Sequence, residues 1–123
     1  MYEGGVMSRT TKEVMESHYK AFRKGVDAIV EDYAEDAVLM APDGMHKGHA
    51  AIRKFFEAEL AGFPDGFWSS LNTLRLDMDG DFVHYLWQAK PWYPQAADAF
   101  TIRDGKIVFQ TTSVLIEKNP KPW

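Results

Sequence analysis

Residues 19–56 read YKAFRKGVDAIVEDYAEDAVLMAPDGMHKGHAAIRKFF, and the spacing of apolar positions changes character four times along that stretch. A helix entering from the N-terminal side ends near Gly25, where glycine favours chain reversal. Asp27 then has the chemistry of an N-cap for a short second helix with Ile29, Val30 and Tyr33 on its inner side. Ala37–Met40 is a compact apolar strand closed by Pro42-Asp43-Gly44, a turn by proline's fixed φ and glycine's freedom. A second short strand follows the turn. After Gly48, the spacing of Ile52, Phe55, Phe56 and Leu60 predicts a third helix over 50–60.

Working outward, Thr10 and Glu13 have capping-box spacing, so the first helix starts there. Val14, Met15, Tyr19 and Phe22 share its apolar face, with His18 beside them, which points Tyr19 inward. On the other side, Gly62-Phe63-Pro64-Asp65-Gly66 ends helical structure. Strands are predicted over 68–77, 81–88, 97–103 and 106–117, with Asp79-Gly80 and Asp104-Gly105 as hairpin turns. Lys90-Pro91-Trp92-Tyr93-Pro94 is an aromatic loop, since its prolines cannot pair within a central strand. Three helices before a four-strand meander make an α+β domain.

A chain of 123 residues holds one domain with a real core. Its 4 Trp, 5 Tyr and 8 Phe exceed what a small core needs and point to a pocket or an interface. A net charge of −4 argues against nucleic acid or an anionic membrane as partner. The absence of cysteine excludes disulfides, thiolate nucleophiles and sulfur-ligated metals. No segment approaches a membrane span, and the N-terminal residues lack the pattern of a secretory signal, so a soluble cytoplasmic protein is the expectation.

The pattern over 19–56 resembles the opening half of the nuclear transport factor 2-like superfamily, which includes SnoaL-like polyketide cyclases and ketosteroid isomerases. The resemblance spans about residues 10 to 117. It implies a cone-shaped, strongly curved antiparallel sheet wrapped around a long N-terminal helix, a cystatin-like α+β barrel enclosing one deep pocket. It further implies a single SnoaL-like domain over 9–118, tails at 1–8 and 119–123, and a homodimer formed through the outer face of the sheet. The superfamily spans isomerases, cyclases, dehydratases, epoxide hydrolases and non-catalytic modules, so the reaction has to be read from the pocket residues.

Asp98 is in strand phase with Phe100 and Ile102, which places a carboxyl on an apolar face. There it either finds a donor or keeps its proton with a raised pKa. The other reading puts it at a frayed strand start, facing water. Tyr19 and Asp98 are similar in placement to the tyrosine and protonated acid of ketosteroid isomerase, which implies an oxyanion hole. The family's general base precedes the proline at the end of the first strand, and that position is Ala41. Asp43 is the nearest substitute acid, although Pro-Asp-Gly needs an aspartate for its turn alone.

His46 and His49 have H-x-x-H spacing but flank Gly48 in a turn without a third ligand nearby, so no metal is expected. His84 belongs to a strand with two nearly equally apolar faces. The resemblance turns Tyr85 and Trp87 inward, and the opposite register would make His84 a candidate base. Arg75-x-Asp77 is similar to the Arg-x-Asp of limonene epoxide hydrolases but occurs one strand too early. A three-residue Arg103-Asp104-Gly105 loop would set Gln110 and Thr112 beside Phe100, whereas a two-residue Asp104-Gly105 loop would set Thr111 and Ser113 there. The first is favoured. The expected lining is then Tyr19, Phe55, Tyr85, Trp87, Phe100, Gln110 and Val114. It suits a small hydrophobic ligand with one carbonyl or phenol, and no cofactor is implied.

Overall fold

The computed structural model describes residues 8–120. Most of the expected 1–8 tail and the end of the 119–123 tail lie outside the described residues. Four helices and six strands follow in the order α1 (Thr11–Ala21), α2 (Val26–Glu31), β1 (Tyr33–Ala41), β2 (Gly44–Lys47), α3 (Gly48–Gly62), α4 (Phe67–Ser70), β3 (Leu71–Asp79), β4 (Phe82–Ala89), β5 (Tyr93–Arg103) and β6 (Lys106–Leu115). The strands form one sheet in the order β2-β1-β6-β5-β4-β3. All neighbours are antiparallel except β1 and β6, which run parallel. This is the curved α+β cone, left open between its two edge strands.

The capping box forms as expected: Thr10 Oγ1 accepts from the Glu13 N–H at 3.1 Å, and the Thr10 N–H donates to Glu13 Oε1 at 2.8 Å. Two expectations for the next turn fail. Gly25, at φ 120°, caps α2 in place of Asp27. Tyr33 opens β1 instead of closing α2, because the chain has already turned at Asp32. Asp32 is buried and receives Arg9 Nη1–H at 3.0 Å and Ser17 Oγ–H at 2.8 Å. Arg9 also donates to the Gly105 carbonyl at 2.8 Å, tying the entry to α1 onto the last hairpin.

The core lies between α1, α2, α3 and the concave sheet face. Val14, Ile29, Leu39, Ile52 and Ile107 are each fully buried there, and each such side chain contributes ~1.5–3 kcal/mol of hydrophobic stabilisation. A second cluster under α4 joins Phe67, Trp87, Ala89 and Ala96. Residues expected to open the third strand are the helix α4, held by the Phe67 N–H on the Pro64 carbonyl at 3.0 Å and the Ser70 N–H on the Gly66 carbonyl at 3.0 Å. The aromatic loop is shorter than expected, since β5 already begins at Tyr93. Pro94 is accommodated where β5 carries one extra residue between Tyr93 and Ala96.

The last hairpin resolves the two registers by a third route. Arg103 pairs with Lys106 across a two-residue loop, with Asp104 at φ 51° and Gly105 at φ 74°, the backbone of a type I′ turn. Alone, that loop would set Thr111 and Ser113 on the inner face. A bulge at Val108 adds one residue to β6, so that Thr101 pairs with Phe109 and Phe100 with Gln110. Gln110 and Thr112 therefore share the concave face with Phe100, through a bulge and not through a three-residue loop.

Candidate active site

The concave face encloses a cavity of about 380 Å³ bounded by α1, α3, α4 and strands β3 to β6. Its wall is mostly aromatic. Phe55, Tyr85, Trp87, Phe100 and Gln110 line it, as does Asp98. Val114 does not: it is on the inner face opposite Ala96 but packs in the second cluster. Thr112, opposite Asp98, takes a place in the lining instead.

Asp98 is 9 % exposed, in the inward phase of β5 between Ala96 and Phe100. Trp87 Nε1–H, one strand away, donates to its Oδ2 at 3.0 Å. Oδ1 is buried and makes no hydrogen bond of normal geometry, although the Thr112 and Gln110 side chains are near enough to favour the charged form. Burial raises the Asp98 pKa above the usual carboxylate range, against a weaker downward pull from Thr112, Trp87, Gln110 and His84. Gln110 is held in turn by Tyr33, whose hydroxyl donates to Gln110 Oε1 in the buried core. Burial, with Asp98 and Asp32 nearby, raises the Tyr33 pKa well above a normal phenol, so Tyr33 stays a neutral donor.

Tyr19 is not where the helical face was expected to put it. It borders the cavity but is 52 % exposed, at the rim. The inward positions of α1 are Val14, His18 and Ala21, the four- and three-residue steps of one helical stripe. His18 is 6 % exposed, packs edge-on against Phe22, Tyr33 and Phe100, and leaves Nδ1 without a partner. Burial lowers its pKa to about 4, so the ring is neutral near pH 7.

Asp43 is absent from the cavity lining: it is exposed in the turn after β1 and its Oδ1 meets His46 Nε2 at 2.8 Å. His49 Nε2 meets the Tyr33 carbonyl at 2.7 Å, so the two histidines have separate partners. Among the described residues no cluster of three or more His, Asp or Glu offers a metal site. His84 is exposed on the outer face opposite Ala99, while Tyr85 and Trp87 face the cavity. Arg75 and Asp77 form an exposed ion pair at 2.6 Å. Tyr85 has its own partner in Thr73, Oη to Oγ1 at 3.1 Å.

Sequence reasoning passed over one acid. Glu59 lines the cavity from α3, and the signal was its spacing of three and four residues from Phe56 and Phe55, inside the apolar stripe. Burial raises its pKa, with Asp98 and then Asp43 adding to the shift. Lys12 and Glu16 stand with Tyr19 on the α1 side of the cavity. The whole is an apolar chamber with carboxyls on three walls, of which Glu16 on α1 is exposed, Glu59 is partly buried and Asp98 is buried.

A SnoaL-like domain profile matches residues 15–110 of the chain. Among solved structures, the chain is similar to an NTF2-like protein of unknown function from Burkholderia xenovorans LB400, with 18 % identity, a TM-score of 0.68 and coverage of 92 % of this chain and 88 % of that one. It is similar to a candidate polyketide cyclase, SMa1630, from Sinorhizobium meliloti, with 24 % identity, a TM-score of 0.66 and coverage of 80 % and 92 %. It is also similar to the epoxide hydrolase/cyclase-like enzyme SalBIII, of pyran ring formation in the polyether salinomycin, with 24 % identity, a TM-score of 0.64 and coverage of 85 % and 90 %. At these identities the likeness is one of fold. No protein of curated function matches the chain in sequence.

Proposed function

Because the chain belongs to the SnoaL-like domain family, we propose that its cavity binds a flat, hydrophobic compound carrying one carbonyl or phenolic oxygen, and that protonated Asp98 donates a hydrogen bond to that oxygen. The observation that carries this reading is the division of labour in one carboxyl: Oδ2 is held by Trp87, while Oδ1 is buried without a partner beside an apolar chamber. A neutral acid so placed stabilises negative charge developing on a ligand oxygen. Acid-assisted isomerisation, cyclisation or dehydration of a carbonyl compound is the reaction class, with Asp98 as the oxygen's donor and Tyr19 left at the exposed rim.

A non-catalytic binding or dimerisation role is the second reading. Ala41, where the resemblance puts a base, favours it, and so does the outer sheet face. Phe82 on β4 and Leu115 on β6 are each 62 % exposed there, and Met40 on β1 is exposed on the same face. A homodimer through that face would be seen by sedimentation and dispersed by Phe82→Glu.

The test of the leading reading is a titration with 2-naphthol followed by tryptophan fluorescence, since Trp68 and Trp87 both line the cavity. Asp98→Leu, which offers no donor, should weaken binding about tenfold, the loss of one hydrogen bond from a neutral acid. Equal affinities in the two proteins would overturn the role given to Asp98.

A further inference from the structure

Resting on that reading of Asp98, we propose that Glu59 is the proton acceptor of the cavity, taking a proton from a C–H bond adjacent to the ligand's carbonyl group. The family resemblance puts a base at the end of β1, where this chain has Ala41, and Asp43 is turned out to His46. The reaction class needs a base from elsewhere. His84 is on the outer face, and His18, with a pKa near 4, is too weak a base to hold a carbon acid's proton. Glu16 is exposed to solvent on α1, so Glu59 remains, on the wall formed by α3.

Its position follows from the helix. Phe55, Phe56 and Glu59 fall on one stripe of α3, and all three line the cavity. An acid in an aromatic stripe is costly unless something compensates for it, yet among the described residues Glu59 makes no side-chain hydrogen bond and no ion pair. The charged and titratable groups that share its cavity or act on it are Lys12, Glu16, His18 and Tyr19 on α1, Asp43 in the turn after β1, Tyr85 on β4, and Tyr93 and Asp98 on β5. Burial and the neighbouring acids raise its pKa, toward the range where a carboxylate accepts a proton effectively.

The two less exposed carboxyls of the chamber, Glu59 and Asp98, titrate as a pair, and the first negative charge goes to the better solvated of them. Asp98 is sealed into the sheet at 9 % exposure, whereas Glu59 is only partly buried. The charge therefore falls on Glu59 and the proton stays on Asp98. Glu59 removes the proton from carbon, the C–H electron pair shifts into a new C–C double bond, and the carbonyl π pair moves onto oxygen. The enolate oxygen accepts a hydrogen bond from Asp98 Oδ1–H. In a ligand with a C=C bond one carbon beyond the deprotonated position, the oxygen pair re-forms the carbonyl, the double bond moves into conjugation with it, and the far carbon of the original C=C takes the proton back from Glu59, which completes an isomerisation without an oxidant or cofactor.

The experiment uses 2-tetralone, a flat bicyclic ketone with acidic hydrogens next to its carbonyl, and follows their exchange with deuterium oxide by proton NMR. Wild-type protein should accelerate exchange, and Glu59→Gln should lose that acceleration by about a hundredfold or more while still binding 2-naphthol. Exchange by Glu59→Gln at the wild-type rate would overturn the proposal, as would a wild type that binds 2-naphthol but does not accelerate exchange. Failure of the wild type to bind 2-naphthol would sink the Asp98 reading, and the role of Glu59 with it.

Discussion

Trp87 Nε1–H holds one oxygen of Asp98 at 3.0 Å from the neighbouring strand, and the other oxygen is buried without a partner. The indole fixes the carboxyl's orientation without neutralising it, because a neutral N–H donor compensates only part of the cost of burying a charge. Asp98 is thus aimed, with its pKa raised by burial.

The raised pKa has a consequence for stability. The folded Asp98 pKa is raised above the ordinary 3.8, so the folded state retains a proton that the unfolded chain releases. The stabilisation is complete below about 3.8 and is lost as pH rises through the raised value. Asp98→Asn removes this loss. Thermal melts should show the variant more stable than wild type above neutrality, with the difference shrinking toward pH 3.8; a variant less stable at every pH would contradict it.

His18 has the opposite sign. Its pKa falls from 6.5 to about 4 in the folded protein, so its stabilisation is complete above 6.5 and is lost as pH drops from there to about 4. The loss amounts to about 3 kcal/mol at 1.36 kcal/mol per unit. His18→Phe keeps the edge-on packing against Tyr33 and Phe100 and cannot take up a proton. Urea unfolding at successive pH values should show a shallower acid decline in the variant than in wild type.

Tyr19 and Tyr33 separate rim from interior. Tyr19→Phe should change 2-naphthol affinity less than about twofold, since an exposed hydroxyl exchanges one water partner for another. Tyr33→Phe deletes the buried bond to Gln110 and should cost about 1–2 kcal/mol of stability. A large binding loss in Tyr19→Phe would return the tyrosine to the oxygen-binding role that the family resemblance implies.

Gly105→Ala probes the last hairpin. The residue has φ 74°, and an added Cβ would sit 3.0 Å from the Arg9 backbone nitrogen. Gly80, at φ 60°, has nothing within 4 Å of the same position. Both substitutions pay for left-handed backbone, ~1 kcal/mol, and Gly105→Ala should cost more than Gly80→Ala by the displacement of Arg9. Equal melting temperatures for the two variants would show that the close approach carries no strain.

How much of this was legible in the sequence depends on which interaction fixes each element. The capping box at Thr10 and Glu13, the α3 stripe and the turn residues at 104–105 are local, and they read directly, whereas the β3–β4 hairpin turns one residue later than the expected Asp79-Gly80, at Gly80-Asp81 between the paired Asp79 and Phe82. The phase of α1 did not, because Tyr19 carries more apolar surface than His18 and drew the face toward itself, while burial follows the Val14-His18-Ala21 stripe. The four residues of α4 contain Phe67 and Trp68, which have strand propensity and are helical only through tertiary packing against Trp87 and Phe22. The bulge at Val108 leaves no local mark, yet it decides that Gln110 and Thr112 face Asp98. Glu59 was legible by spacing alone.

The most direct test is the protonation state of Asp98 itself, followed by carbon NMR of the side-chain carboxyls in protein labelled at aspartate, in wild type and in Asp98→Asn. The account predicts one resonance, missing from the variant, that keeps the shift of a protonated acid after the exposed aspartates have ionised. If every aspartate, Asp98 included, ionises together in the ordinary carboxylate range, then Asp98 is a buried anion and cannot donate the hydrogen bond on which the proposed chemistry depends.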